Sequence, residues 1–182
     1  MNLPPHLTTP RLLLRPFTLD DAAAVQTLAG NPAIAEMTLN IPHPYPDGAA
    51  AEWISTHADN WQQGRSVTYA ITLREDDTLL GCMSLGFHPR QEMAEMGYWL
   101  GQPYWNLGYG TEAAAALLEF GFNQLNLNRI YAYHLPRNPA SGRIMQKIGM
   151  TYEGLLRQAA KKDDTFEDLI LYAILREDFL PD

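Results

Sequence analysis

Glu95-Met-Gly-Tyr-Trp-Leu100, followed by Trp105-Asn-Leu-Gly-Tyr-Gly-Thr-Glu112 and a run of alanines and leucines, decides how this chain is read. The first segment predicts a strand, the second a short loop, and the third a helix. The first-turn amides of a helix have no partner inside it, so a strand, a glycine loop and a helix N-terminus together make a place to hold a phosphate. Gly108 and Gly110 let the backbone come close to a ligand. The N–H groups of Leu107, Gly108, Tyr109, Gly110, Thr111 and Glu112 can then converge on one anion. A Gly-x-Gly pair alone also marks ordinary turns. Two rival phosphate loops lose ground: no Gly-x4-Gly-Lys-Ser/Thr occurs, and Ala113 breaks a Gly-x-Gly-x-x-Gly pattern. The loop points to a nucleotide-bearing cofactor.

Further on, Arg129-Ile-Tyr-Ala-Tyr-His134 predicts a strand before Asn138-Pro-Ala-Ser-Gly-Arg-Ile-Met-Gln-Lys-Ile-Gly-Met150. Asn138 can cap the helix that Pro139 opens, and Gly149 sits where a glycine ends a helix. The order is strand, Gly-x-Gly helix, strand, Asn-x-x-Ser helix, Lys-x-Gly-hydrophobic.

With these motifs in this order the chain resembles the GCN5-related N-acetyltransferases, and more narrowly the RimJ/RimL-type ribosomal-protein N-terminal acetyltransferases. The resemblance also takes in Thr9-Pro-Arg-Leu-Leu-Leu-Arg-Pro16 and Glu153-Gly-Leu-Leu-Arg157 and covers nearly the whole chain. Three positions depart from the family pattern. Trp105 stands where Arg or Gln often begins the loop, Asn106 replaces a common glycine, and Met150 replaces a common aromatic. Asparagine tolerates left-handed backbone angles better than most residues.

The resemblance implies an α/β (α+β) fold with a mixed, mostly antiparallel sheet of about seven strands between helices. Its fourth and fifth strands splay apart. Unpaired backbone groups on Tyr98, Trp99 and Leu100 would then take the amide-rich arm of acetyl-CoA as a pseudo-strand. The diphosphate falls on the amides from Leu107 to Thr111, Asn138 bonds the pantetheine side, and Ser141 lies near the sulfur. No metal is implied.

The expected reaction is direct attack of an amine on the thioester, which needs a neutral amine, an oxyanion donor and a proton for the leaving thiolate. The resemblance makes Glu95 the base, through a water, and Ser141 the acid. A surface carboxylate and a first-turn serine are the plain alternatives. Tyr98, Tyr131 and Tyr133 are substitute acids, although sheet tyrosines more often pack. Asp168 either holds the substrate ammonium or pairs structurally. Glu112 reads as a helix N-terminal carboxylate favoured by the macrodipole, with no ligand at its side chain. At pH 7 a neutral α-amine costs about 1.4 kcal/mol and a neutral lysine about 4.6. A protein N-terminus is therefore the expected acceptor. A small amine, polyamine, amino acid or drug is the alternative, and a non-catalytic acyl-CoA-binding module is the alternative of another class.

Composition fits one domain spanning 1–182, since 182 residues bury a sizeable core. A net charge of −8 argues against a nucleic-acid partner. It favours a cationic substrate, or serves solubility alone. Cys82 is the single cysteine, in the apolar run Leu79-Leu-Gly-Cys-Met-Ser-Leu85, and reads as a buried thiol. No signal pattern or membrane-length apolar run occurs, so a cytoplasmic location without a membrane partner is expected. A homodimer is expected from similar proteins.

Elsewhere, Arg11 to Pro16 predicts a first strand. Thr18-Leu-Asp-Asp21 predicts a capping box for a helix through Leu28, which Gly30-Asn-Pro32 closes. Thr38 to Gly48, with Pro42, Pro44 and Pro46, predicts an irregular loop that either shapes the acceptor pocket or merely connects, and Asp47 is expected to cap a helix running to Gln63. Val67 to Leu73 and Leu79 to Phe87 form a hairpin about Arg74-Glu-Asp-Asp77. Ala114, Leu117, Leu118, Gly121, Phe122 and Leu125 make a helix stripe for the sheet. Tyr152 to Gln158 and Phe166 to Leu175 are the last strands, separated by Lys161-Lys-Asp-Asp164.

Overall fold

Apolar runs bounded by turn residues pair first with their neighbours in sequence, and most of the sheet is built this way. The computed structural model describes residues 3–179. Its strands are β1 (Leu7–Thr8), β2 (Leu12–Pro16), β3 (Ser66–Leu73), β4 (Leu79–His88), β5 (Met93–Leu100), β6 (Arg129–His134), β7 (Thr151–Lys162) and β8 (Thr165–Leu175). They form one sheet in the order β1-β2-β3-β4-β5-β6-β8-β7. Among the described residues the sheet has eight strands where about seven were expected, the additional one being Leu7–Thr8, which pairs with Leu13 and Leu14 over a stretch too short to show a periodicity.

Helices α1 (Ala22–Ala29), α2 (Pro32–Met37), α3 (Ala49–Ser55) and α4 (His57–Gln62) lie between β2 and β3; α5 (Tyr109–Asn123) and α6 (Pro139–Lys147) flank β6. Among the described residues β5 and β6 form the one parallel pair. A parallel pair needs a crossover, and α5 supplies it. Ala114, Leu117, Leu118 and Phe122 of α5 are buried against the sheet as the stripe predicts. Fully burying a side chain such as Leu118 contributes about 1.5–3 kcal/mol. Leu125 lies past the end of α5 yet still packs on this core.

The expected capping box at Thr18 forms, but Leu19–Asp21 is a 3-10 turn and α1 begins after it. Gly30-Asn-Pro32 both closes α1 and starts α2, where Asn31 Oδ1 accepts from the Ala33 amide at 2.9 Å. Asp47 does not cap the next helix. Gly48 holds that place in the left-handed region (φ 80°), with no side-chain cap. The predicted continuous helix divides into α3 and α4 at Thr56. There Ser55 Oγ and Thr56 Oγ1 donate to the carbonyls of Glu52 and Trp53 at 2.6 and 2.8 Å and so compete with the helix ladder. The last two strands run further than expected and turn only at Asp163 and Asp164. A bulge in β7 is held by Asp168, whose Oδ1 accepts from the Gln158 amide at 2.7 Å, so this carboxylate is structurally paired. Among the described residues no helix is long and apolar enough to cross a membrane.

Candidate active site

The pairing of β5 with β6 runs from Met93↔Arg129 to Glu95↔Tyr131 and stops. From Met96 onward β5 has no β6 partner, so the sheet forks directly after Glu95. This is two residues earlier than the expected opening at Tyr98. One continuous cavity of about 880 Å³ occupies the fork. Strand alternation assigns its two sides. Met96, Tyr98 and Leu100 face the helices α5 and α6. Glu95, Gly97 and Trp99 share the opposite face with Ser84, Tyr131 and Tyr133, as the register Ser84↔Gly97 and Glu95↔Tyr131 requires.

On the α5 side, Asn106 (φ 62°) and Gly108 (φ 84°) both take the left-handed conformation. The asparagine that departs from the family pattern therefore adopts the angle a glycine would. Gly108 is the N-cap of α5 and offers the first-turn amides no side-chain acceptor. A Cβ at Gly108 would stand 3.3 Å from Arg11 Nη2. Gly108, Tyr109, Gly110 and Thr111 line the cavity, but Leu107 does not. The Leu107 side chain is exposed, and its carbonyl accepts from Arg11 Nη1 at 3.0 Å. The Glu112 amide donates to the Gly108 carbonyl at 3.1 Å, so the open amides lie before it. The Glu112 carboxylate accepts from Thr9 Oγ1, the Arg11 amide and Arg11 Nε at 2.7, 2.9 and 2.7 Å. It ties α5 to the chain before β2. Trp105, the other departure, donates its indole N–H to the Leu100 carbonyl at 2.6 Å and so occupies one group at the free end of β5.

Tyr98 and Ser141 meet on this side. Their hydroxyl oxygens are 2.8 Å apart, and the phenol also donates to the Ser141 carbonyl at 3.1 Å. Ser141 is buried, and its amide donates to Asn138 Oδ1 at 3.2 Å, which sets the first turn of α6. Burial pushes the Tyr98 phenol up to about 12, against the opposing pull of the Ser141 hydrogen bond. The hydroxyl proton is thus kept until a strong base appears nearby. Asn138 Nδ2 donates to the Met37 carbonyl at 3.2 Å, so both polar atoms of this side chain have protein partners.

Across the fork, Glu95 is exposed and lines the cavity. The protein packed around it pushes its carboxyl up, against the charge of His88 and hydrogen bonding from Tyr131. Tyr131 is held by His88, with Oη and Nε2 2.9 Å apart, and its ring meets Tyr133 edge-on at 5.4 Å. Much of the rest of this side is apolar and aromatic, with Thr38, Asn40 and Ser84 as polar exceptions. Trp99 packs with α1 and α3, and Tyr45, Trp53 and Ile41 line the cavity near it. Residues 38–42 and Tyr45 and Pro46 contribute the wall, so the proline-rich loop shapes the cavity as well as connecting helices. Cys82 is buried beneath this wall, where burial pushes its thiol up.

Residues 11–151 match the model of the acetyltransferase (GNAT) domain. The chain is a GNAT acetyltransferase. It is 34% identical over 175 residues to the uncharacterised N-acetyltransferase YnaD of Bacillus subtilis, covering 96% of this chain and 99% of that one. The ribosomal-protein-serine acetyltransferase of Escherichia coli is 31% identical over 100 residues, 54% of this chain and 56% of its own. Among solved structures, Mycobacterium smegmatis RimJ in complex with CoA-disulfide superposes with a TM-score of 0.85 at 27% identity, covering 98% of this chain and 88% of that chain. The acetyltransferase uses acetyl-CoA. Its own residues fit that molecule: a left-handed glycine cap leaves α5 amides open to the cavity, and β5 has a free edge beside them.

The structure brings Glu95, Tyr98, Trp99, Leu100, Gly108, Tyr109, Gly110, Thr111, Asn138 and Ser141 to one cavity. Sequence reasoning gave no role to Arg143 and Lys147, which also line it from one face of α6. Their spacing of four on a helix after the Asn-x-x-Ser start was the available signal. It also missed the placement of Arg11, whose guanidinium lies 4.5 Å over the Tyr109 ring.

Proposed function

We propose that this acetyltransferase transfers acetyl from acetyl-CoA to the α-amino group of a protein N-terminus. The observation that carries the reading is the fork after Glu95. It places a carboxylate with a raised pKa on one side of the opening and the Tyr98–Ser141 hydroxyl pair on the other. In this reading the amides from Gly108 to Thr111 hold the diphosphate, with Arg143 and Lys147 supplying positive charge. The free edge of β5 aligns the pantetheine arm. Glu95 removes the proton of the incoming ammonium through a water, and Ser141, hydrogen-bonded to Tyr98, protonates the departing thiolate. The E. coli relative acts on a ribosomal-protein serine by its name, which supports an α-amine acceptor here.

A second reading, a small amine with an apolar or aromatic body, draws support from the Tyr45, Trp53 and Trp99 wall next to Glu95. Thiol release from acetyl-CoA separates the two. A lysine-free octapeptide with a free N-terminal serine is the expected acceptor. Its Nα-blocked form should be inert, and the product mass should place one acetyl on the α-amine. Turnover with phenethylamine or spermidine but none with the peptide would replace the first reading by the second.

A further inference from the structure

The C-terminus of α2 stands where the Thr38–Gly48 loop begins. A helix leaves its last carbonyls without donors of its own, and α2 has only six residues. Four consecutive carbonyls here each accept from a side chain a hundred or more positions away in the chain. Lys162 Nζ donates to the carbonyls of Ala35 and Thr38, both at 2.6 Å. Arg137 Nε donates to Glu36 at 2.9 Å and Asn138 Nδ2 to Met37 at 3.2 Å.

The donors all belong to the other arm of the fork. Arg137 and Asn138 lie between β6 and α6, and Lys162 ends β7, whereas α2 belongs to the helices inserted before β3. Because β5 and β6 share no hydrogen bonds beyond Glu95, this cluster spans the opening that the sheet leaves. It is anchored at its far end, since Arg137 Nη1 also donates to Glu167 Oε2 on β8 at 2.8 Å. Asn138 meanwhile accepts from the Ser141 amide, so one side chain touches both the last residue of α2, where the loop begins, and the helix that carries Ser141.

We propose that Lys162, Arg137 and Asn138 form a clasp that fixes the separation of the two arms and holds the acceptor loop against the cavity. Lys162 is its main positioning residue, with two charged hydrogen bonds to carbonyls at a helix C-terminus, where positive charge is favoured. It bonds the carbonyl of Thr38, a residue that lines the cavity on its loop side, and touches no part of the Gly108 cradle. Its loss therefore affects acceptor binding and leaves acetyl-CoA binding intact. The inference rests on the acetyl-transfer reading and on the loop side taking the amine.

The test compares wild type with Lys162→Met and Lys162→Arg in three measurements. These are amide hydrogen exchange over residues 36–47, calorimetric affinity for acetyl-CoA, and KM for the serine octapeptide. Lys162→Met should speed exchange over 36–47 about tenfold while β3 and β4 keep their protection. It should raise peptide KM at least fivefold and change acetyl-CoA affinity less than twofold. Lys162→Arg, which keeps charge and several donors, should recover most of the exchange protection. Unchanged exchange in Lys162→Met overturns the clasp, and so does a parallel loss of acetyl-CoA affinity. Should Lys162→Met fail to fold, Arg137→Gln removes one of the four bonds and is judged on the same criteria. A peptide that no form of the enzyme acetylates defeats the N-terminal reading, while exchange still decides the clasp.

Discussion

The Tyr98 phenol and the Ser141 hydroxyl, from a strand and a helix more than forty positions apart, form one 2.8 Å hydrogen bond inside the cavity. Two candidate acids are thereby one unit. The phenol also donates to the Ser141 carbonyl, which leaves the serine hydrogen bonded to the phenol or turned to an incoming thiolate. Ser141→Ala should lower kcat about a hundredfold, within the usual range for a positioned general acid. Tyr98→Phe should lower it less, since Ser141 keeps its helical position through Asn138. Acetyl-CoA affinity should hold in Ser141→Ala. Steady-state rates beside calorimetry check this, and full turnover in both variants would remove the pair from the reaction.

Glu95 offers a pH test. A carboxyl whose pKa is raised stays protonated to a higher pH than an ordinary glutamate, and only the ionised form can accept a proton. The acid limb of kcat/KM should therefore lie above the normal carboxylate range, with activity falling as pH falls through it. Glu95→Gln should abolish that limb and lower kcat/KM at pH 7 about a hundredfold. The deficit should narrow at pH 9, where an α-amine of pKa about 8 is already neutral. An unaltered acid limb in Glu95→Gln would assign the base elsewhere.

Gly108 tests the cradle. Its φ of 84° is strained for any residue with a Cβ, and the added atom would press on Arg11 Nη2 at 3.3 Å. The strain alone is worth roughly 1–3 kcal/mol. Gly108→Ala should weaken acetyl-CoA about tenfold or more by calorimetry while acceptor KM at saturating acetyl-CoA stays put. Equal acetyl-CoA affinity in the two proteins would move the diphosphate away from this loop.

The glycine loop and the Asn-x-x-Ser helix were legible because each rests on local rules of caps and helix starts, whereas the fork of the sheet came only with the family resemblance and opens at Met96, not at Tyr98. Asn138, Pro139 and Gly149 predicted α6 within its own thirteen-residue stretch, and the structure puts its N-cap and its left-handed C-terminal glycine at those positions. The division of α3 from α4 was not legible, because it depends on hydroxyls of Ser55 and Thr56 turning back onto carbonyls. Leu107 looked equivalent to Gly108 in sequence, yet Arg11 draws its carbonyl away from the cavity. The joining of Trp53 and Trp99 to the Thr38–Gly48 loop in one cavity wall, and the Lys162 cluster, were beyond reach for a further reason. They are assembled from residues distant in the chain, and no spacing rule relates Lys162 to Ala35.

His57 carries a prediction about stability. Both of its ring nitrogens are buried with no hydrogen-bond partner among the described residues, and its ring lies edge-on to Trp53 at 4.4 Å and Phe17 at 5.4 Å. Burial lowers its pKa from 6.5 to about 4. The folded protein therefore binds this proton less well than the unfolded chain does. The stability that goes with the neutral ring is complete above pH 6.5 and is lost as pH falls toward 4, with a total of roughly 3 kcal/mol. His57→Phe keeps an aromatic ring for Trp53 and removes both the titration and the two unpaired nitrogens, whose burial costs on the order of 1 kcal/mol or more. Urea unfolding at pH 7.5, 6 and 5 should show the variant at least as stable at pH 7.5 and progressively more stable than wild type on acidification. Parallel pH dependence in the two proteins would mean that the imidazole finds water or a partner when protonated, and that its burial is not what governs the acid side of the stability curve.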